Sequence, residues 1–136
     1  MKNSTLLRIS EYLLDYDYDL TPNSASEIDS AETLLGFKFD SNYVEFLLKF
    51  GGCFVGVDVY GVRNSSFLAN YNIIDLTNDF KKEDIVKGLI CVISLDGSGN
   101  SIYMNENFNI MIFDHNNGTE EILYNDFESM IIDCMG

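Results

Sequence analysis

The sequence predicts an α+β domain in which an antiparallel sheet packs against N-terminal helices and a closing C-terminal helix. Three observations carry that prediction. Apolar residues recur at helical spacing through the first fifty positions. They then fall into short β-branched runs separated by glycine and asparagine turns, and helical spacing returns after residue 125. The 136 residues suit one domain, taken as 1–136, with a single core. An apolar share of 46% with ten Phe and eight Tyr marks a folded chain rather than a disordered one.

Leu6, Ile9 and Leu13, flanked by Leu7 and Leu14, predict the first helix, and DYDYDL at 15–20 an exposed loop whose tyrosines fold back on the core. Ser24 and Glu27 have the form of a capping box. Ile28, Ala31 and Leu35 continue a second helix to Gly36, a natural left-handed stop. Asp40 or Ser41 opens a third, with Tyr43, Phe46, Leu47 and Phe50 inward and Gly51 and Gly52 ending it. Val55, Val57 and Val59 alternate as in a strand. The segment 61–66 reads as a turn, 67–80 as a helix and 81–84 as a charged loop. LICVISL at 89–95, then 101–104 and 109–113, are strands, and HNNGTEE at 115–121 is a turn. Asn125 or Asp126 caps a last helix with Phe127, Met130, Ile131 and Cys134 on one face.

Charge separates the classes of function. Twenty-two carboxylates against eight Lys and Arg give a net charge of −14, and after Lys87 eight carboxylates follow with no Lys or Arg. Nucleic acid and anionic membrane surfaces need a basic footprint and are disfavoured, whereas a basic protein partner is favoured by complementary potential. Solubility alone is the plainer reading of the same acidity. The longest apolar runs, such as 88–93, are strand-sized, well short of the roughly 18 residues of a membrane span. The N-terminal apolar patch is broken by Arg8 and Glu11, a poor secretory signal, which predicts a cytoplasmic protein. Cys53, Cys91 and Cys134 are odd in number and widely spaced, as expected of buried thiols in a reducing compartment.

LDGSGNSIYMNE at 95–106 has the look of a ligand loop. Read as a calcium loop with Gly99 at its sixth position, it places neutral Ser94 first and Asn105 where a bidentate Glu belongs, with Glu106 one residue late. As a phosphate loop it lacks a third glycine, a lysine and a following helix. A glycine-rich hairpin turn over 96–100 is the reading that remains. His115 is the one histidine, placed in a turn where solvation is expected, and no spacing joins it to the cysteines or to a metal-ligand set. No catalytic residue, metal or cofactor is therefore assigned, although an enzyme using His115 stays open as a third reading.

AETLLGFKFDSNYVEFLLKFGG, followed by a strand and YG, resembles the SUKH superfamily, which holds fungal cell-wall-assembly regulators and many bacterial immunity proteins. LICVISLDGSGNSIYMN, NIMIFDHNNGTEE and YNDFESMI are similar to its later strand, turn and helix segments, so the resemblance covers about residues 24–134. Phe39–Asp40 departs from it, since the family commonly has a proline before that helix. The resemblance implies a SUKH-like fold and binding rather than catalysis: an immunity protein that neutralises a cognate toxin, often a nuclease and so basic where it holds phosphate. A regulatory scaffold without a toxin partner, like the fungal members, is the alternative; those carry extra segments, of which this sequence has almost none. For a basic partner the residues of choice are carboxylates beside aromatics: Asp15, Asp17, Asp19, Asp58 and Tyr60, then Asp96, Glu106 and Asp114.

Overall fold

A computed structural model describes residues 1–16, 20–65, 68–83, 86 and 88–136. Three helices come first: α1 (Asn3–Asp15), α2 (Ala25–Leu35) and α3 (Ser41–Lys49). Ser24 and Glu27 close the capping box reciprocally, Glu27 N donating to Ser24 Oγ at 3.1 Å and Ser24 N to Glu27 Oε1 at 3.0 Å. Gly36 ends α2 at φ 62°.

The valines at 55–59 do not form one strand. They make the tip of a hairpin, β1 (Cys53–Phe54) with β2 (Asp58–Val59), because Gly56 turns the chain at φ 83° against the carbonyl of Cys134. The next helix is shorter than expected. Ala69 and Asn70 have φ of 48° and 60°, which no right-handed helix accommodates, and α4 (Ile73–Lys82) starts only after Asn72, whose Oδ1 accepts from Asp75 N at 2.9 Å. Lys81 and Lys82, expected in a loop, are its last turn, where cations complement the helix dipole.

A four-stranded antiparallel sheet follows in the order β3 (Cys91–Leu95), β4 (Ser101–Met104), β5 (Ile110–Asp114), β6 (Thr119–Tyr124). α5 (Phe127–Met135) closes the chain, capped by Asp126 Oδ1 accepting from Ser129 N at 2.8 Å. β6 was not expected: part of it was read as the HNNGTEE turn, which in the structure is confined to 115–118.

Register sorts the two faces of the sheet. Cys91, Met104 and Ile110 pair in a row and join Ile93 and Ile102 beneath α1, α2, α3 and α5, in a core centred on Tyr43, Phe46 and Phe127. Val92, Tyr103, Met111 and Ile122 form the opposite row. α4 straddles the β3 edge. Its Ile73 lies in the main core, whereas Phe80 packs with Ile90, Val92, Tyr103 and Phe113 on the second face. That leaves the second face covered near β3 and open toward β6.

Candidate partner-binding surface

The eight residues chosen from sequence do not converge on one site. Asp17 and Asp19 lie outside the described residues. Asp15 and Asp58 border one aromatic cluster: Asp58 pairs with Phe54 across the hairpin, and the Phe54 ring meets that of Tyr12, one turn of α1 before Asp15, at 6.4 Å and that of Tyr16, the residue after Asp15, at 6.0 Å. Asp58 is half-buried, and that burial holds its carboxyl above the usual carboxylate range. Neither carboxylate has a hydrogen bond or ion pair within the described residues.

Tyr60 is a correction. It is 3% exposed, its amide donates to Ile93 O at 2.9 Å, and its carbonyl accepts from Tyr43 Oη at 2.6 Å. Burial pushes its phenol up to about 12. It anchors the hairpin to β3 instead of presenting an aromatic surface.

Asp96 and Asp114 sit at the far end of the sheet, where each is occupied by its own turn. Asp96 Oδ1 accepts from Ser98 N at 2.9 Å and Asn100 N at 2.8 Å, while its Oδ2 accepts from Asn100 Nδ2 at 3.0 Å. Asp114 Oδ1 accepts from Asn116 N at 2.8 Å and Asn117 N at 3.3 Å. These are Asx turns, the local chemistry that makes Asp and Asn frequent in loops. Burial is the largest single influence on Asp96 and raises its carboxyl, but the hydrogen bonds from Asn100 and Ser98 together, helped by the nearby His115, outweigh it and hold the group below the usual carboxylate range. His115 fastens two turns together: its amide donates to Asn100 Oδ1 at 3.2 Å, and its ring stands edge-on to Phe113. Nε2 lies 3.7 Å from Glu83 Oε2.

The thiols are poorly suited to nucleophilic work. Burial pushes Cys53 and Cys91 up to about 12, although Thr77 and Lys81 pull Cys91 slightly back, whereas a reactive cysteine needs its thiolate favoured. Half-buried Cys134 is raised for the same reason. Among the described residues no three His, Cys, Asp or Glu side chains are placed to hold a metal ion, and no helix is long and apolar enough to cross a membrane.

Glu106 lies elsewhere again, in the β4–β5 turn. It lines a groove of about 190 Å³ on the second face, between the segment that leads into β3 and the β4–β5 turn, with Leu89, Tyr103, Met111 and, from β6, Glu120. Tyr103 Oη donates to Glu120 from the groove floor. Glu120 and its neighbours on β6 were missed in the sequence. The signal was there, since Asn116-Asn117-Gly118 between two apolar stretches is a hairpin signature that predicts a strand on both sides.

An open-faced antiparallel sheet backed by helices, with carboxylates on its hairpin, turns and last strand, defines an acidic α+β domain of the SUKH kind. The chain belongs to the SUKH_5 family, described as SMI1-KNR4 cell-wall, whose match runs over residues 5–135. No curated protein matches it. Membership supports an immunity-type or SMI1-KNR4-like domain.

Proposed function

We propose that this chain is a cytoplasmic immunity protein that binds one cognate toxin domain, basic and of the nuclease type, and blocks it. Unspent negative charge is the observation that carries the reading. Of the 22 carboxylates, Asp17, Asp19 and Asp84 lie outside the described residues; for the others the ion pairs are Arg63 with Glu27, Lys82 with Asp79, the Met1 amine with Glu45, and His115 with Glu83. Apart from the part-buried pair of Met1 with Glu45 these lie at the surface, where such pairs contribute little to stability, and uncompensated like charge works against a compact chain. The same charge accelerates encounter with a basic surface and competes there with a phosphate backbone.

The test is co-expression and pull-down with the product of the neighbouring gene, expected to carry a variable C-terminal toxin domain. Capture of that domain and rescue of cells from it are the expected results. A neighbour without a toxin domain, or a toxin that kills despite this chain, would overturn the proposal in favour of a regulatory scaffold. Loss of rescue in His115→Ala with the fold intact would restore the enzyme reading.

A further inference from the structure

The two edges of the four-stranded sheet are treated differently. The outer edge of β3 is closed, since Tyr60 N donates to Ile93 O at 2.9 Å and Val92 N donates to Thr77 Oγ1 at 2.9 Å. The outer edge of β6 is open. β6 pairs with β5 alone, and its residues are exposed apart from half-buried Tyr124. Among the described residues no backbone hydrogen bond joins 119–124 to any segment other than β5. Ile122 is 60% exposed and Leu123 40%. Free edges are ordinarily blunted by charged side chains, above all lysine, by proline, by bulges or by a covering element, because they template the addition of another strand. β6 has neither lysine nor proline; it has Glu120 and Glu121 and an irregularity in its register near Leu123.

That combination discriminates between partners. Two copies joined through β6 in antiparallel fashion would crowd four glutamates into one short ladder between chains of charge −14 each, and like charges across a ladder are destabilising. A strand of opposite charge meets no such barrier. On the second face Glu120 stands beside the groove with Glu106, and the groove floor is the Tyr103 ring and Met111. An Arg or Lys suits such a place, its stem along apolar surface and its head against carboxylates. No basic side chain lines the groove among the described residues; Lys87 lies outside them.

We infer that β6 is the docking edge for the basic partner: an extended segment of it, with Lys or Arg at alternate positions, adds to β6 as a fifth strand and sets a basic side chain against Glu120. This rests on the partner being basic, as proposed above. Main-chain bonds would supply affinity and the alternate side chains selectivity, as in other strand additions.

The probe is a peptide of about nine residues alternating Arg and Val, long enough for one strand, beside a peptide of equal charge interrupted by prolines. Amide hydrogen exchange of the full chain, read by NMR, should slow at 119–124 with the alternating peptide and not with the proline peptide. The double variant Glu120→Lys, Glu121→Lys should weaken binding about tenfold or more, since the pair at Glu120 turns from attraction to repulsion and the edge as a whole from negative to positive. Its fold is checked by circular dichroism, and the exchange result on the unaltered chain stands without it. Unchanged exchange at 119–124, an equal response to the proline peptide, or a dimer held through β6 would overturn the inference. The two proposals fail separately. Toxin rescue unaffected by the double variant sinks the edge and spares the function, whereas strand addition without any rescue does the reverse.

Discussion

Gly56 sits at the tip of the β1–β2 hairpin, the element that carries Phe54 and Asp58, with φ 83° and an ideal Cβ position 1.8 Å from the carbonyl oxygen of Cys134. Gly56→Ala meets two separate costs. A residue with a Cβ is disfavoured in the left-handed region by about 1–2 kcal/mol. The overlap is backbone against backbone, so no rotamer relieves it and the hairpin must part from α5; forced overpacking costs about 1–3 kcal/mol. The sum, about 2–5 kcal/mol, is a large share of the roughly 5–15 kcal/mol that holds a domain together. Two other glycines separate the terms. Gly99 has φ 82° with nothing within 4 Å of its Cβ position, and Gly97 has open space without the positive φ. Gly99→Ala should cost the backbone term alone, about 1–2 kcal/mol, and Gly97→Ala should be neutral or gain up to about 1 kcal/mol by restricting the unfolded chain. Urea unfolding followed by circular dichroism reads all three. If Gly56→Ala costs no more than Gly99→Ala, the contact with Cys134 carries nothing and the hairpin is not seated on α5 as described.

Four further substitutions test hydrogen bonding and burial elsewhere in the chain. Thr77→Val keeps the shape of a fully buried side chain but leaves Val92 N without its acceptor, and should cost about 1–3 kcal/mol in urea unfolding; a cost near zero would mean that the β3 edge is not closed by α4. Asp58 has its folded carboxyl raised by burial, so its contribution is favourable below the unfolded carboxylate range and is lost as pH rises through the raised value. Asp58→Asn should therefore be more stable than the parent near pH 7, with the advantage shrinking toward about pH 4; an advantage independent of pH would refute the desolvation. Asp96→Ala should lower stability, because three donors lose their acceptor, whereas Asp15→Asn, with no hydrogen bond or ion pair among the described residues, should leave the urea midpoint unchanged.

How far the fold was legible depended on the reach of the contacts that decide each element. α2 was read to its ends because Ser24, Glu27 and Gly36 act within a turn of one another. The hairpin was misread as a strand because Val55, Val57 and Val59 alternate in either case, and the turn between them is set by Cys134 at the other end of the sequence. The start of α4 was missed because apolar spacing over 67–80 says nothing of the positive φ at Ala69 and Asn70. β6 escaped because an edge strand with both neighbouring faces wet needs no alternation, and Glu120 and Glu121 make it read as loop. Tyr60 was chosen for its company with Asp58, and its burial follows from pairing with Ile93, which no local pattern encodes.

Hydrogen bonding divides the carboxylates in a way that composition cannot. Asp96, Asp114 and Asp126 accept from backbone amides of their own turns or helix, Glu27 closes a capping box, and Glu32 accepts from Phe39 N at 2.8 Å. These acids specify the fold, and selection for folding alone accounts for them. Asp15, Asp58 and Glu106 accept nothing within the described residues, and Glu121 stands exposed on the open edge of β6. Charge without an internal acceptor role adds self-repulsion and little stability, so folding alone does not account for it, whereas the proposed binding to a basic partner would. Solubility would be served by carboxylates scattered anywhere on the surface. Two of these places also have apolar or aromatic surface beside the carboxylate: Phe54 with the Tyr12 and Tyr16 rings at Asp58, and Ile122 with the Met111 groove at β6. Solubility gains nothing from exposed apolar surface, whereas a protein partner uses both kinds of surface at once.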